Sequence, residues 1–424
     1  MITKDLFVRN RKKLTALIKP GAMAIICPAA IFPRNGNQPL GYRQSSNLLY
    51  LTGIQQEDTF LFICPDHPQK EFREVLFIRY TDAHTLVWEG PKLTKREASD
   101  ISGVQTVLWT KDWMEFLKKS MKTVNHVFLE MGEEWLPEIA PVTLSYRFAK
   151  ELKEQFPKKV FESIVPLISK LRTIKENEEI EIIKQAIETT SQTFRNILPL
   201  VKPNMYEYEI EAEITRSFIK NEHSGHAYLP IVAGGKNACA LHYNLNQSVL
   251  QKGDLLLLDF GAERWGYCAD LTRTIPVSGR FTKRQAEVYR SVLKIQRQAK
   301  KLMIPGNTIE KLNAEVGKIM EEEMVRLKLL KPAEIKKQEK DKPLYKKYYP
   351  HGISHFMGLD VHDCGTRELP FKKGMVLSCE PGIYIPEEGF GIRLENDILV
   401  DKTPMDLMEN IPIEIEEIEK GMKR

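Results

Sequence analysis

The sequence is poor in cysteine, and its cysteines show no spacing that suggests a shared role. No two of them form a Cys-x-x-Cys pair, and they are spread through apolar runs as Cys27, Cys64, Cys239, Cys268, Cys364 and Cys379. This distribution argues against a disulfide framework and against a zinc–thiolate site. We expect the fold to do without both.

The chain also lacks a long apolar run and a large charge of either sign. The basic stretch 9–13 is followed by apolar residues, but a Lys-Pro-Gly break at 19–21 interrupts them before a signal-peptide core can form. The apolar run 21–32 is too short to cross a bilayer. A net charge of +5, with 62 basic and 57 acidic residues intermixed, gives no nucleic-acid footprint. These absences favour a cytoplasmic protein without nucleic-acid or membrane partners.

The length and the order of elements predict two α/β domains. A chain of 424 residues with 42% apolar content can build two full cores. In residues 1–165, strand patterns alternate with helical ones, which predicts a mixed sheet flanked by helices. Residues 156–171 have the character of a connecting segment. The second domain, residues 166–424, begins with a long helix near Glu176, whose first turn is acidic.

Two aspartates in the second domain are the most informative residues of the chain. Asp259 and Asp270 flank the turn region of LLLLDFGAERWGYCADLTRT, between a strand at 255–260 and another at 267–275. A regular hairpin centred between Arg264 and Trp265 makes the two aspartates direct cross-strand neighbours, roughly 4.5–5.5 Å apart at Cβ. Two like charges in such a place are destabilising unless a cation lies between them.

The same arrangement is predicted a second time. In CEPGIYIPEEGFGIRLEND, Glu380 and Glu395 are symmetric about a turn centred between Glu387 and Glu388. Two opposed acidic pairs in buried contexts predict a cage for two divalent metal ions.

Four histidines lie close to these acidic segments in the sequence. His351, His355 and His362 stand in PHGISHFMGLDVHD, and His242 stands in ALHYN. We assign His355 as a metal ligand, because neutral imidazole joins carboxylates on transition-metal ions. Four carboxylates and one imidazole are rich in hard oxygen, which favours Mn²⁺, with Co²⁺, Fe²⁺ or Zn²⁺ as alternatives.

These motifs, in this order, resemble those of the pita-bread metallopeptidases, which include methionine aminopeptidase, prolidase and aminopeptidase P. The set Asp259, Asp270, His355, Glu380 and Glu395 is similar to the five-ligand dinuclear site of that superfamily. The stretch RNGNQPLGYRQSSNLLYLTGI near the amino terminus resembles the first domain of aminopeptidase P. The resemblance covers almost the whole chain. It implies a mixed α/β domain (residues 1–165) followed by a catalytic pita-bread (creatinase/aminopeptidase) domain (residues 166–424).

The resemblance also implies a role for each residue of the site. Asp259 would bind one metal ion, Asp270 and Glu395 would bridge both, and His355 and Glu380 would bind the other. Glu380 would accept the proton of the attacking water and pass it to the leaving nitrogen. The remaining residues would act on the substrate: His351 and His362 would position it and stabilise the oxyanion, His242 would support the leaving side, and Arg393 would orient carboxylates or substrate.

For substrates, the resemblance points to peptides with proline in the second position. An Xaa-Pro bond has no N–H and carries a fixed ring, so ordinary aminopeptidases handle it poorly. The leading hypothesis is an Xaa-Pro aminopeptidase, and the alternative is a prolidase that cleaves Xaa-Pro dipeptides. A methionine aminopeptidase would not need the first 165 residues, and a creatinase-like enzyme works without metals. A non-catalytic peptide-binding module is a remote alternative, since such modules typically lose ligands.

The first domain departs from the family pattern at two places. Ser46-Asn47-Leu48 replaces an acidic–aromatic pair, and Pro91-Lys92 stands where an arginine is usual. Trp88 either packs in a core or reaches a neighbouring subunit, as this domain does in relatives. The resemblance implies a homodimer or a homotetramer.

Overall fold

A computed structural model describes residues 3–131, 143–221, 225–339 and 341–423. The chain divides into two compact units, Met1–Arg172 and Thr173–Arg424. The sequence predicts a boundary after residue 165. In the structure, a helix over Val165–Arg172 packs against the first helix of the chain, and the division therefore falls after Arg172.

The first unit is built around a mixed sheet. Its helices are α1 (Lys4–Thr15), α2 (Ser46–Thr52), α3 (Ala83–Trp88), α4 (Lys95–Ser102), α5 (Trp113–Ser120), α6 (Leu144–Gln155) and α7 (Val165–Arg172). Its strands are β1 (Ala22–Ile26), β2 (Pro33–Asn35), β3 (Gln38–Pro39), β4 (Phe60–Ile63), β5 (Glu74–Ile78), β6 (Thr106–Trp109), β7 (His126–Leu129) and β8 (Val160–Ser163). The sheet has the order β6-β5-β4-β1-β7-β8, with parallel and antiparallel pairs. This confirms the predicted mixed α/β fold.

Two elements of this unit lie in the segment that the sequence analysis interpreted as a connection. The segment 156–171 contains β8, which extends the sheet beside β7, and most of α7. Pro166 is the second residue of α7, and proline is tolerated in the first turn of a helix because the N–H it lacks would have no partner there. Its presence therefore does not mark a loop.

The second unit places long helices around several small sheets. Its helices are α8 (Asn177–Ile197), α9 (Glu207–Lys220), α10 (Lys283–Lys301), α11 (Ile309–Arg326), α12 (Pro332–Ile335) and α13 (Ile415–Gly421). Its strands are β9 (Gly225–His226), β10 (Ile231–Gly234), β11 (Leu255–Phe260), β12 (Ala262–Arg264), β13 (Tyr267–Cys268), β14 (Leu271–Pro276), β15 (Val376–Cys379), β16 (Gly382–Ile385), β17 (Phe390–Arg393), β18 (Asn396–Leu399) and β19 (Met405–Asp406). An isolated bridge between Thr272 and Glu395 joins β14 to the segment between β17 and β18.

Local sequence signals set the ends of the long helices. Helix α8 starts after Glu176, which forms a capping box with Glu179, and α10 starts after Thr282, which does the same with Gln285. One face of α8 is buried through residues such as Ile183 and Phe194. Within the ranges that the structure describes, no helix is both long enough and apolar enough to cross a bilayer.

Candidate metal centre

The first acidic hairpin forms, but its register differs from the predicted one. In the antiparallel pair of β11 and β14, Asp259 lies opposite Thr272 rather than opposite Asp270. The turn is centred on Trp265 and Gly266, which both have positive φ, 51° and 83°, as a two-residue type I′ turn requires. The prediction that the two aspartates are direct neighbours was therefore wrong. The correct register makes them diagonal neighbours on the same face.

One tyrosine hydroxyl contacts both aspartates. The Tyr228 hydroxyl lies 2.7 Å from Oδ1 of Asp259 and also contacts Oδ1 of Asp270. A phenol has one proton to donate, so it can satisfy only one of these carboxylates at a time. The remaining negative charge calls for a proton or a cation at this point.

The second acidic hairpin has the predicted register. Cys379 pairs with Asn396 in one ladder, and Gly382 pairs with Arg393 in the next. Both pairs have the same register. Glu380 and Glu395 lie between the two ladders, and this register places them opposite each other. The Thr272 hydroxyl donates to Oε2 of Glu395 over 2.7 Å, which ties this pair to the first hairpin.

His355 lies among the carboxylates of both hairpins. Its Nε2 is 3.4 Å from Oδ2 of Asp270, 3.5 Å from Oε1 of Glu380 and 3.9 Å from Oε1 of Glu395. Asp270, His355 and Glu395 each offer a ligand atom within 4.8 Å of the others. The structure thus brings four of the five predicted ligands around one point.

Asp259, the fifth predicted ligand, is held by Arg393. The buried guanidinium of Arg393 forms an ion pair with Oδ2 of Asp259. It also donates to the Tyr384 hydroxyl over 3.0 Å and to the Thr272 hydroxyl over 3.1 Å. The side chain predicted to orient carboxylates does contact one of them.

The electrostatics of the cluster favour the addition of positive charge. Burial, together with the charge of Asp270, raises the pKa of Glu395 well above its ordinary value. Burial also raises the pKa of Glu380 to about 7, against the opposing charges of His355 and Arg393. Burial lowers the pKa of His355, but its hydrogen bond to Asp270 and the charge of Glu380 outweigh this and raise it to about 9. The raised pKa values mean that these groups keep protons that a cation could replace. A set of carboxylate oxygens and one imidazole suits a divalent transition-metal ion.

The other three predicted histidines surround this centre. His351 has Nδ1 2.8 Å from the Gly352 carbonyl oxygen and Nε2 2.8 Å from the Tyr384 hydroxyl. The ring of His362 lies 4.4 Å from that of His355 between centroids. Burial and then the charge of Arg393 lower the pKa of His351 to about 3, and His242 is a smaller cause of this shift.

Three residues of the site have no role in the sequence analysis. Tyr228 is 31 positions from Asp259, and no spacing signal links the two. Tyr384 belongs to the EPGIY motif, but the motif alone does not show that its hydroxyl meets His351 and Arg393. Asp397 accepts a hydrogen bond from the Asp270 backbone N–H over 3.2 Å. Two-residue alternation from Glu395 into β18 could have identified Asp397.

A buried ion pair holds the segment that carries His362. Lys175 Nζ lies 3.1 Å from Oδ2 of Asp363, and both side chains are about 1% exposed. The Asp363 backbone N–H donates to the Phe356 carbonyl over 2.8 Å. This hydrogen bond closes the loop 356–363, which directly follows His355. The pair therefore anchors a loop whose two ends lie beside predicted site residues.

Replacing Lys175 by methionine is expected to lower the free energy of unfolding by about 3–5 kcal/mol, because it breaks a buried ion pair by removing one of its two charges. Urea denaturation of the purified variant measures this loss. The double variant Lys175→Met/Asp363→Asn, which removes both charges, should recover most of it. A loss below about 1 kcal/mol in the single variant would contradict the anchoring role.

The known proteins that are similar to this chain are metallopeptidases. Residues 181–402 match the sequence model of metallopeptidase family M24, and residues 7–128 match the aminopeptidase P N-terminal domain. The Xaa-Pro aminopeptidase of Escherichia coli is 32% identical over 418 residues, which span 95% of this chain and 93% of the relative. A solved structure of a candidate aminopeptidase P from Bacillus anthracis is 34% identical, with a TM-score of 0.92 over 99% of this chain and 98% of its own. Zinc-substituted E. coli aminopeptidase P in complex with product has a TM-score of 0.89, 30% identity and coverage of 99% of this chain and 98% of its own.

These matches confirm the architecture inferred from the motifs, an aminopeptidase P-type first domain followed by a pita-bread domain. The site described above lies wholly within the second unit.

Proposed function

The chain belongs to metallopeptidase family M24, and from this premise we propose that it is an Xaa-Pro aminopeptidase, a hydrolase that releases the first residue of peptides with proline in the second position. The observation that carries the proposal is the cluster of buried and half-buried side chains in which His355 lies within 4 Å of carboxylate oxygens from Asp270, Glu380 and Glu395. A protein that only bound peptides would have no use for a cluster whose charges repel one another.

We propose that Asp259, Asp270, His355, Glu380 and Glu395 would hold two divalent metal ions. The donor set is dominated by carboxylate oxygen, which favours Mn²⁺. Co²⁺, Fe²⁺ and Zn²⁺ are the alternatives, and the zinc-substituted structure of the E. coli relative supports the inclusion of zinc. When bound, two such ions supply a hydroxide nucleophile near neutral pH.

Glu380 is the residue that moves the proton in this proposal. Its Oε1 lies 3.4 Å from the Ser378 hydroxyl and its Oε2 lies 3.5 Å from Nδ1 of His351. In the metal-free protein, burial raises its pKa to about 7. We propose that Glu380 accepts a proton from the attacking water and releases it to the proline nitrogen, as a positioned carboxylate does in general acid–base catalysis.

The three remaining histidines act on the substrate. Burial lowers the pKa values of His351 and His362, so both rings are neutral at neutral pH and can exchange hydrogen bonds with the peptide. We propose that His351 and His362 position the scissile carbonyl and stabilise its oxyanion, and that His242 supports the leaving side. Arg393 fixes Asp259 by their ion pair, which is its main role in this proposal.

The test of the proline requirement is a comparison of Arg-Pro-Pro with Arg-Ala-Pro in the presence of added Mn²⁺. We expect release of arginine from the first peptide and at least about a hundredfold lower kcat/KM on the second. Equal cleavage of both would exclude an Xaa-Pro specificity. A protein that purifies without stoichiometric metal and cleaves neither would instead be a non-catalytic peptide-binding module.

We further propose a homodimer or homotetramer in the cytoplasm. The exposed apolar residues of α3 support oligomer formation, since Val87 is 79% and Trp88 75% exposed. This exposure excludes core packing for Trp88 within the first unit. Four of the six cysteines are buried, and their scattered spacing gives no disulfide framework, which supports a reducing compartment.

A further inference from the structure

One carboxylate outside the metal cluster accepts an unusual number of hydrogen bonds. Glu207 is the first residue of α9, and its side chain is fully buried. Its Oε1 accepts from the Gly234 backbone N–H over 2.8 Å and from Nδ2 of Asn237 over 2.9 Å. Its Oε2 accepts from the Tyr243 hydroxyl over 2.7 Å and from the Ser248 backbone N–H over 2.8 Å. A carboxylate is acceptor-only with about four lone-pair sites, so these donors saturate it.

All four donors belong to the segment 234–248, which carries His242. Two of the donors lie near the start of the segment, one lies beside His242 and one lies at the end. The Glu207 side chain therefore connects three parts of the segment to α9. The Glu207 backbone N–H also donates to the Ser248 carbonyl over 3.0 Å. A buried charge with this many partners is costly to assemble unless each donor is fixed, so the carboxylate and the segment order one another.

The segment is also packed toward the metal centre. Tyr243, the neighbour of His242, packs with Leu241 against a buried apolar cluster that includes Leu257 and Tyr384. The Tyr384 hydroxyl contacts His351. The segment is thus held by Glu207 on one side and by a residue of the site on the other.

We propose that Glu207 is a positioning residue, which sets the place of His242 relative to His351 and His362. The inference rests on the proposed peptidase function, because it acts through a histidine assigned to the substrate. It adds a residue that touches neither substrate nor metal and lies between the recognised motifs.

The substitution Glu207→Gln tests this with little change of shape. One carboxylate oxygen becomes an NH₂ group, which then faces a donor whichever way the amide is turned, so the segment must shift. We expect kcat/KM on Arg-Pro-Pro, measured with the metal-loaded full chain, to fall about 10- to 100-fold. In a His242→Ala background, Glu207→Gln should cause no further loss, because the residue acts through His242.

Glu209→Gln is the matched control. Glu209 lies in the same helical turn and is exposed, and its Oε2 accepts only from the Tyr206 backbone N–H among the contacts described. This variant should keep the activity of the unchanged protein. Thermal melting and metal content of each variant separate a shifted segment from an unfolded protein.

Tyr243→Phe covers the case in which Glu207→Gln does not fold. It removes one donor and leaves the carboxylate and three donors in place, and we expect a loss of activity on the order of fivefold that also disappears in the His242→Ala background. Full activity of both variants, or a loss that persists without His242, would overturn the positioning role. Failure of the proposed function is distinguishable, because the unchanged protein would then not cleave Arg-Pro-Pro.

Discussion

Replacing Asp270 by asparagine is expected to abolish metal-dependent hydrolysis while changing the stability of the metal-free protein little. Asp270 contacts Tyr228 and His355, and its charge helps to raise the pKa of the buried Glu395. Without a metal ion, removing this charge relieves its repulsion with Glu395 but also removes the anion that faces the His355 imidazolium, so the two effects on stability oppose each other. The same change removes an oxygen that we propose as a metal ligand, so the activity should fall at least about a hundredfold.

Melting curves with and without added Mn²⁺ measure the effect on stability, and the peptide assay measures the effect on activity. The unchanged protein should gain about 2.7 kcal/mol of stability when the free metal is a hundred times its Kd, and Asp270→Asn should gain much less. Asp254→Asn is the control, because Asp254 stands just before the strand of Asp259 and its Oδ2 accepts from the Gln251 backbone N–H, outside the site. Retention of the metal-induced shift in Asp270→Asn would contradict its assignment as a ligand.

The substitution Glu380→Gln is expected to reduce kcat by about 10²- to 10⁴-fold, because an amide cannot accept and return the proton of the attacking water. The amide oxygen can still contact a metal ion, and KM should change much less than kcat. Steady-state kinetics on Arg-Pro-Pro with excess Mn²⁺ give both parameters.

Metal analysis of the same variant separates the proton-transfer role from the ligand role. Loss of metal in parallel with activity would show that Glu380 acts mainly as a ligand. Glu387→Gln in the turn of the same hairpin is the control, since it breaks only a surface ion pair with Lys347. It should retain full activity.

The two acidic hairpins illustrate what sequence patterns can and cannot predict. The symmetry about Glu387 and Glu388 gave the register of the second hairpin correctly, because the ladders on either side of Glu380 share it. The first hairpin was placed wrongly by one residue, because its turn is centred between Trp265 and Gly266 rather than between Arg264 and Trp265. A glycine in the two-residue loop is the usual signal of a type I′ turn, and the symmetry of the two aspartates does not contain that signal.

The parts of the site that escaped prediction depend on contacts between distant segments. Lys175 and Asp363 are 188 positions apart, and neither has a local pattern that indicates its partner. Glu207 looks like an ordinary acidic residue in the first turn of a helix, as helix N-termini prefer. Its proposed role can be inferred only from the hydrogen bonds that segment 234–248 donates to it in the folded structure.

The central claim is tested most directly by hydrolysis of Arg-Pro-Pro and Gly-Pro, side by side, with the full-length protein and added Mn²⁺. We predict release of arginine from the tripeptide, lost on chelation and restored by the metal. Cleavage of the dipeptide alone would make the protein a prolidase, and cleavage of neither would contradict the proposed enzyme function.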